Sequence, residues 1–170
     1  MSNGCLSEAA GLGRQKAVER LLEGESATPE QMNEALRYAC VYGHATVAEL
    51  LVRRGADLAT TTPDGQTATH MAVIGGHLDT LKLLLEHDPP LEQKNAYGGT
   101  VLGQTLWSAA HGGDAGRYIA IIDALLAAGA KLADKHVPVG PEIDAFLATK
   151  GSRPEPAWHW FGEESRESAE

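Results

Sequence analysis

The sequence predicts an all-α chain, a solenoid of stacked helix-turn-helix units, and three observations predict it. Tyr42-Gly43-His44, within VYGHATVAELLVRRGADL, returns 33 residues later as Gly75-Gly76-His77, within IGGHLDTLKLLLEHDPPL. A period of that size with a Gly-His turn marks an array of helix pairs, in which each unit buries its apolar face only against the next. The helix after the turn also keeps its apolar positions through four copies: Val18, Leu21 and Leu22; Ala48, Leu51 and Val52; Leu81, Leu84 and Leu85; Ile122, Leu125 and Leu126. They fall at helical spacing, and all are apolar. Finally, apolar residues make up 43% of the chain but aromatics only 5%, and a core of Ala and Leu suits short, closely packed helices.

The first copy, residues 1–28, is short, with Leu6, Ala9-Ala10 and Gly13 ahead of the helix Ala17-Val18-Glu19-Arg20-Leu21-Leu22. The second, 29–61, runs through Ala35-Leu36-Arg37 and Ala39-Cys40 to Gly55-Ala56-Asp57. The third, 62–94, starts on an Asp64-Gly65 turn and leaves through Asp88-Pro89-Pro90, which stiffens the exit. The fourth, 95–135, opens with Asn95-Ala96-Tyr97-Gly98-Gly99-Thr100 and closes on Gly129-Ala130. One column reads Arg20, Leu50, Leu83, Ala124. The charge falls in the first copy, as expected of a terminal repeat with a neighbour on one side only. A capping helix is expected over 140–150, because Pro141 suits a first helical position and Ile143, Phe146 and Leu147 share a face. Residues 1–150 therefore read as one repeat domain and 151–170 as a Pro-rich, then acidic tail. Trp158-His159-Trp160-Phe161 in that tail either docks back on the stack or engages a partner.

Over roughly residues 4–132 the chain resembles the ankyrin repeat family. The family pattern is a hairpin, Thr-Pro-Leu-His opening a short helix, Ala-Ala, a Gly-His turn, a longer helix ending in leucines, and Gly-Ala-Asp. Thr67-Ala68-Thr69-His70 stands where Thr-Pro-Leu-His is expected and Ala72-Val73 where Ala-Ala is, while Asp88-Pro89-Pro90 departs from Gly-Ala-Asp. The resemblance implies an ankyrin-repeat solenoid with β-hairpin loops, and a concave face lined by hairpin tips and first-helix ends. Carried onto this sequence, that face takes Gln31, Asn33, Val41 and Tyr42 from the second copy. It takes Asp64, Gln66 and Ile74 from the third, and Tyr97, Trp107 and Ser108 from the fourth. The histidines of the pattern, His44, His70 and His77, read as structural.

Thr67 to Thr100 keeps the 33-residue step, but Leu85 to Leu126 takes 41, so the fourth copy holds eight extra residues within 107–118. Extra residues in such arrays map to loops on one face, often the binding face. A first helix running on to Ala110 is the other reading. Either way His111, Asp114 and Arg117 are expected exposed near the turn and join the candidate surface. His111, Asp114, Arg117 and Tyr118 together form a weak polar constellation that could hold an anion or move a proton. His87, His136 and His159 read as surface residues.

The net charge of −9, from 14 basic and 23 acidic residues, argues against nucleic acid and favours a basic protein surface as partner. No cofactor or metal is expected. His-Glu-x-x-His, Cys-x-x-Cys, a phosphate loop and Gly-x-Ser-x-Gly are all missing from the sequence, and Cys5 and Cys40 are too few for a four-Cys zinc site. Cys40 reads as a small buried hydrophobe. With no basic-then-apolar leader and no apolar run of about 18 residues, the expectation is a cytoplasmic protein that does not engage a membrane. The sequence leaves oligomeric state open. Its leading functional reading is a non-enzymatic adaptor, scaffold or inhibitor that binds another protein. The alternative is a small enzyme or ligand-binding protein with its site at the fourth-repeat loop.

Overall fold

The computed structural model describes residues 4–24, 27–112 and 114–155. Eight helices form four pairs: α1 (Gly4–Gly11) with α2 (Gln15–Gly24), α3 (Pro29–Val41) with α4 (Ala45–Arg53), α5 (Ala68–Gly75) with α6 (Leu78–Leu85), and α7 (Val101–Ala110) with α8 (Ala115–Ala127). The first helices pack in chain order, α1 on α3 on α5 on α7, and the second helices do the same, α2 on α4 on α6 on α8. The result is a two-layered solenoid. A further helix, α9 (Pro141–Thr149), continues the second layer by packing on α8.

The loops between the last three pairs are hairpin turns by their hydrogen bonds but carry no strands. Thr62 N–H donates to Gln66 O at 3.0 Å and Asn95 N–H to Gly99 O at 2.9 Å, and Ala96 N–H links one tip to the last through Asp64 O at 2.8 Å. The strands among the described residues lie elsewhere. β1 (Lys135–His136) and β2 (Arg153–Pro154) run parallel at the C-terminal end of the stack.

The first helices α3, α5 and α7 start where threonines cap them. Thr28, Thr67 and Thr100 accept backbone N–H groups of Gln31, His70 and Gly103, each satisfying a donor that the helix itself leaves unpaired. At Thr67 the imidazole completes the cap. His70 Nδ1 accepts from the Thr67 hydroxyl at 2.8 Å and from Thr67 N–H at 3.3 Å, so Nε2 carries the proton and donates to Gly99 O of the next repeat at 3.3 Å. His70 is fully buried, and burial holds its pKa below the ordinary histidine value against the opposing bond to Gly99.

The inward columns are graded rather than uniform. Val18, Ala48, Leu81 and Ile122 are fully buried, as are Leu51, Leu84 and Leu125, each leucine contributing roughly 1.5–3 kcal/mol by leaving water. Leu21, in the terminal pair, is half-buried, and so is the whole column Leu22, Val52, Leu85, Leu126. Arg20 is exposed. Between the first helices sit the small residues Ala10, Ala39, Cys40 and Ala72, which let them approach closely. Cys40 is packed as expected, and burial pushes its thiol up to about 12.

Successive repeats are also joined turn to turn. His44 Nε2 donates to Gly11 O at 2.9 Å, and His77 Nε2 to Val41 O at 3.1 Å, in each case a carbonyl at the end of the preceding first helix. Each ring lies on a glycine that needs a left-handed backbone, Gly13 (φ 66°) and Gly43 (φ 78°). A Cβ on Gly13 would sit 2.6 Å from His44 Nδ1, and one on Gly43 would run into the His77 ring.

Two outcomes follow. Gly43→Ala should cost at least about 2 kcal/mol by denaturant unfolding, because backbone strain adds to a displaced imidazole. Gly98→Ala, at φ 79° with no atom within 4 Å of the new Cβ, should cost only the strain, about 1 kcal/mol. Equal losses would mean that the imidazole contact contributes nothing. His70 adds a pH dependence. Its folded form favours the neutral ring, so its contribution is complete above the ordinary histidine pKa of about 6.5 and is lost as pH falls through the lowered folded value. The unfolding midpoint should therefore drop between about pH 7.5 and 5.5 more steeply in the wild type than in His70→Gln.

Candidate protein-binding surface

The exposed aromatic side chains gather at first-helix ends and hairpin tips. Tyr38 and Tyr42 are one helical turn apart in the last turn and cap of α3, and their rings stack at 6.5 Å between centroids. Both lie over Gly11 of the preceding repeat, whose missing side chain makes room for them. Tyr42 remains 58% exposed. Tyr38 was absent from the sequence-derived surface, although its four-residue spacing from Tyr42 was the signal for it. Val41, beside them, lines a shallow groove of about 390 Å³ with Arg37, Pro63 and Met71. Ile74 stands exposed near the end of α5.

In the fourth repeat, Trp107 and His111 are stacked face to face on α7, with centroids 4.2 Å apart. His111 Nδ1 donates to Trp107 O at 2.7 Å, so the imidazole is held against the indole. Trp107 is 59% exposed. The neighbouring tip is braced from within. Asn95 Oδ1 accepts the N–H groups of Tyr97 and Gly99, its Nδ2 donates to Gln104, and Gln104 donates to Ser108. That chain holds the backbone of Tyr97 while its ring projects with 82% of its surface exposed. Asp64 is exposed at the tip before it, and Gln66 is half-buried there.

Other candidates are engaged inside the fold. Asn33 is buried, because its Oδ1 is needed to accept Asp57 N–H at 2.7 Å. Gln31 closes the capping box of α3, its side chain accepting Thr28 N–H at 2.9 Å. Asp114 is the N-cap of α8, and Arg117 lies over Gly76, its Cδ 3.0 Å from where a Cβ would be. Arg117 thus occupies the place above the turn glycine that histidine takes in earlier repeats. Tyr118 is buried beneath it. His111, Asp114, Arg117 and Tyr118 therefore do not converge, and no ion pair joins them among the described residues.

Six of the eight extra residues extend helices and two extend the turn. Relative to α5 and α6, two lengthen α7, two lengthen the turn, and four lengthen the start of α8. Helix continuation satisfies the added backbone groups, which a loop would have left to water.

His136 also departs from expectation, since it is buried rather than on the surface. Its Nδ1 meets Ser152 Oγ at 2.8 Å and its Nε2 meets Asp144 Oδ1 at 3.1 Å, while the same carboxylate oxygen accepts Val139 N–H at 3.0 Å. The trio has the residue types of a hydrolytic triad. Ser152, however, is fully buried, so its hydroxyl has no face toward a substrate. The arrangement works as a latch, tying the β1–β2 ladder to α9. His87 is exposed, and His159 lies outside the described residues.

Among the described residues no group of three or more His, Cys, Asp or Glu side chains could hold a metal ion, and no helix is long and apolar enough to cross a membrane. Residues 36–136 match the family model described as ankyrin repeats in three copies. The chain is also similar to the Notch-regulated ankyrin repeat-containing protein of Xenopus tropicalis, at 31% identity over 85 residues that cover 46% of this chain and 75% of that one.

Proposed function

The chain belongs to the ankyrin-repeat family, whose repeats are generally protein–protein interaction modules, and on that premise we propose that it is a non-enzymatic adaptor, scaffold or inhibitor gripping a partner protein through its concave face and fourth repeat. The observation that carries this reading is the exposure of Tyr38-Tyr42, Tyr97 and Trp107-His111 in a chain with only 5% aromatic residues. Large apolar rings kept in water cost free energy, and Tyr and Trp are the types that dominate interface energetics. They are also pre-ordered by stacking and by the Asn95 network, which lowers the entropy lost on binding.

The candidate surface is Tyr38, Val41, Tyr42, Asp64, Gln66, Ile74, Tyr97, Trp107, Ser108 and His111. Asp114 and Arg117 form its exposed fourth-repeat edge. The net charge of −9 supports a partner whose facing surface is basic, with association slowed by added salt. The same balance gives nucleic acid little to recommend it.

The experiment begins with a photo-crosslinking residue at Ile74 in the full chain, used to recover the partner from the native host. Affinity for that partner is then compared between the wild type and Tyr42→Ala/Trp107→Ala. The double variant should weaken binding by at least about tenfold, as hot-spot residues do, with far-UV circular dichroism unchanged. Unchanged affinity would reject this face as the site.

A further inference from the structure

The two helix layers end differently. The second is closed by α9 on α8, whereas the outer side of α7 faces the extended segment 131–139 across an open groove of about 380 Å³. The groove is walled by Leu102, Leu106 and Ala110 from the helix and by Leu132, Val137 and Val139 from the segment. Its floor is Gly103, where a Cβ would meet only Thr100 Oγ1, at 3.6 Å. Gly103 holds the place that His70 holds in α5, and His70 uses it to bond the following repeat. The fourth repeat lacks that histidine, and among the described residues no following first helix packs on α7. What remains is an apolar trough, and water in such a trough is unfavourable.

The chain itself leads into this trough. β2 runs parallel to β1 with Lys135 beside Arg153 and His136 beside Pro154, and Glu155 N–H donates to His136 O at 2.9 Å. Lys135 also pairs with Glu155. The ladder therefore ends with Glu155 beside Val137, at the start of the groove wall. Paired strands lie about 4.8 Å apart, and three residues of extended chain span up to about 10 Å, a length that covers the distance from Glu155 to the groove. Their chemistry suits it: Trp158, Trp160 and Phe161 comprise two of the three tryptophans and one of the two phenylalanines in the chain. Beyond them come Glu163, Glu164 and Glu167, opposite in sign to Lys131 and Lys135 on the groove lining.

We propose that Trp158-His159-Trp160-Phe161 seats in the groove between α7 and residues 131–139, in the place that the first helix of a fifth repeat would take. The tail then completes the first layer as α9 completes the second. The groove borders the partner surface proposed above, since Trp107 and His111 line both, but the assignment rests on the groove and the tail rather than on that reading.

The test uses the full chain carrying Trp107→Phe, which keeps an aromatic ring at this groove-lining position while fluorescence reports Trp158 and Trp160 alone. Their emission should be blue-shifted, and acrylamide quenching several-fold weaker than for a free peptide of residues 153–166. Gly103→Leu fills the groove floor and suits a helix better than glycine, so the chain should stay helical while quenching rises toward the peptide's. Should that variant lose its circular dichroism, a second measurement decides. In Trp158→Ala/Trp160→Ala, hydrogen exchange at Val137 and Val139 should rise by about tenfold while α3 to α6 keep their protection. Quenching equal to the free peptide's, or protection that persists when the floor is filled, would overturn the assignment. So would protection that grows with protein concentration, since the occupant would then be a second copy.

Discussion

An imidazole resting on the glycine of the preceding turn, and bonded to the carbonyl beside it, is the contact on which this stack depends. The ring of His77 can lie over Gly43 only because that residue has no Cβ, and its Nε2 can reach Val41 O only when α5 sits at one height against α3. His44 imposes the same condition on the repeat before. Hydrophobic burial drives the association, with Leu51, Leu84, Ile122 and Leu125 fully buried among the core residues. Leucine contacts alone would tolerate sliding. The directional bond sets the registry, and with it the line along which first-helix ends and hairpin tips present Tyr42, Ile74, Tyr97 and Trp107.

That constraint also explains how the array stops. Going from the third repeat to the fourth, the turn histidine is replaced by Arg117 from a longer α8, lying over Gly76. Beyond the fourth, no such ring-on-glycine contact is found among the described residues. The chain instead closes the second layer with α9, held by Ile143 and Leu147 in the core, by Lys150 to Asp123 at 2.7 Å, and by the buried Ser152–His136–Asp144 latch. Polar groups fully paired inside a terminal cap give it one orientation, which an apolar contact of the same size would leave loosely defined.

The repeat was legible because its constraints are periodic. The Gly-His turn, the Thr67-to-Thr100 step and the apolar columns recur often enough for one sequence to reveal them. What was not legible depended on partners far along the chain. Asn33 reads as part of the concave face until Asp57 N–H is found against it, and His136 reads as surface until Ser152 and Asp144 enclose it. The eight extra residues could be counted from the leucines, but their division between α7, the turn and α8 could not. That division follows from the backbone's preference for helical bonds over an exposed loop. Tyr38 was legible and overlooked, since a second tyrosine four residues before Tyr42 is a helical neighbour.

The most direct measurement is the tautomer of each ring histidine, read by long-range proton–nitrogen correlation in the isotope-labelled full chain near neutral pH. Donation to Gly11 O and Val41 O requires His44 and His77 to carry their proton on Nε2, protected from exchange. His111, which bonds Trp107 O through Nδ1, should show the opposite tautomer in the same spectrum. Nδ1–H signals for His44 and His77, or ring protons that exchange as fast as in a free imidazole, would contradict the contact that aligns the repeats.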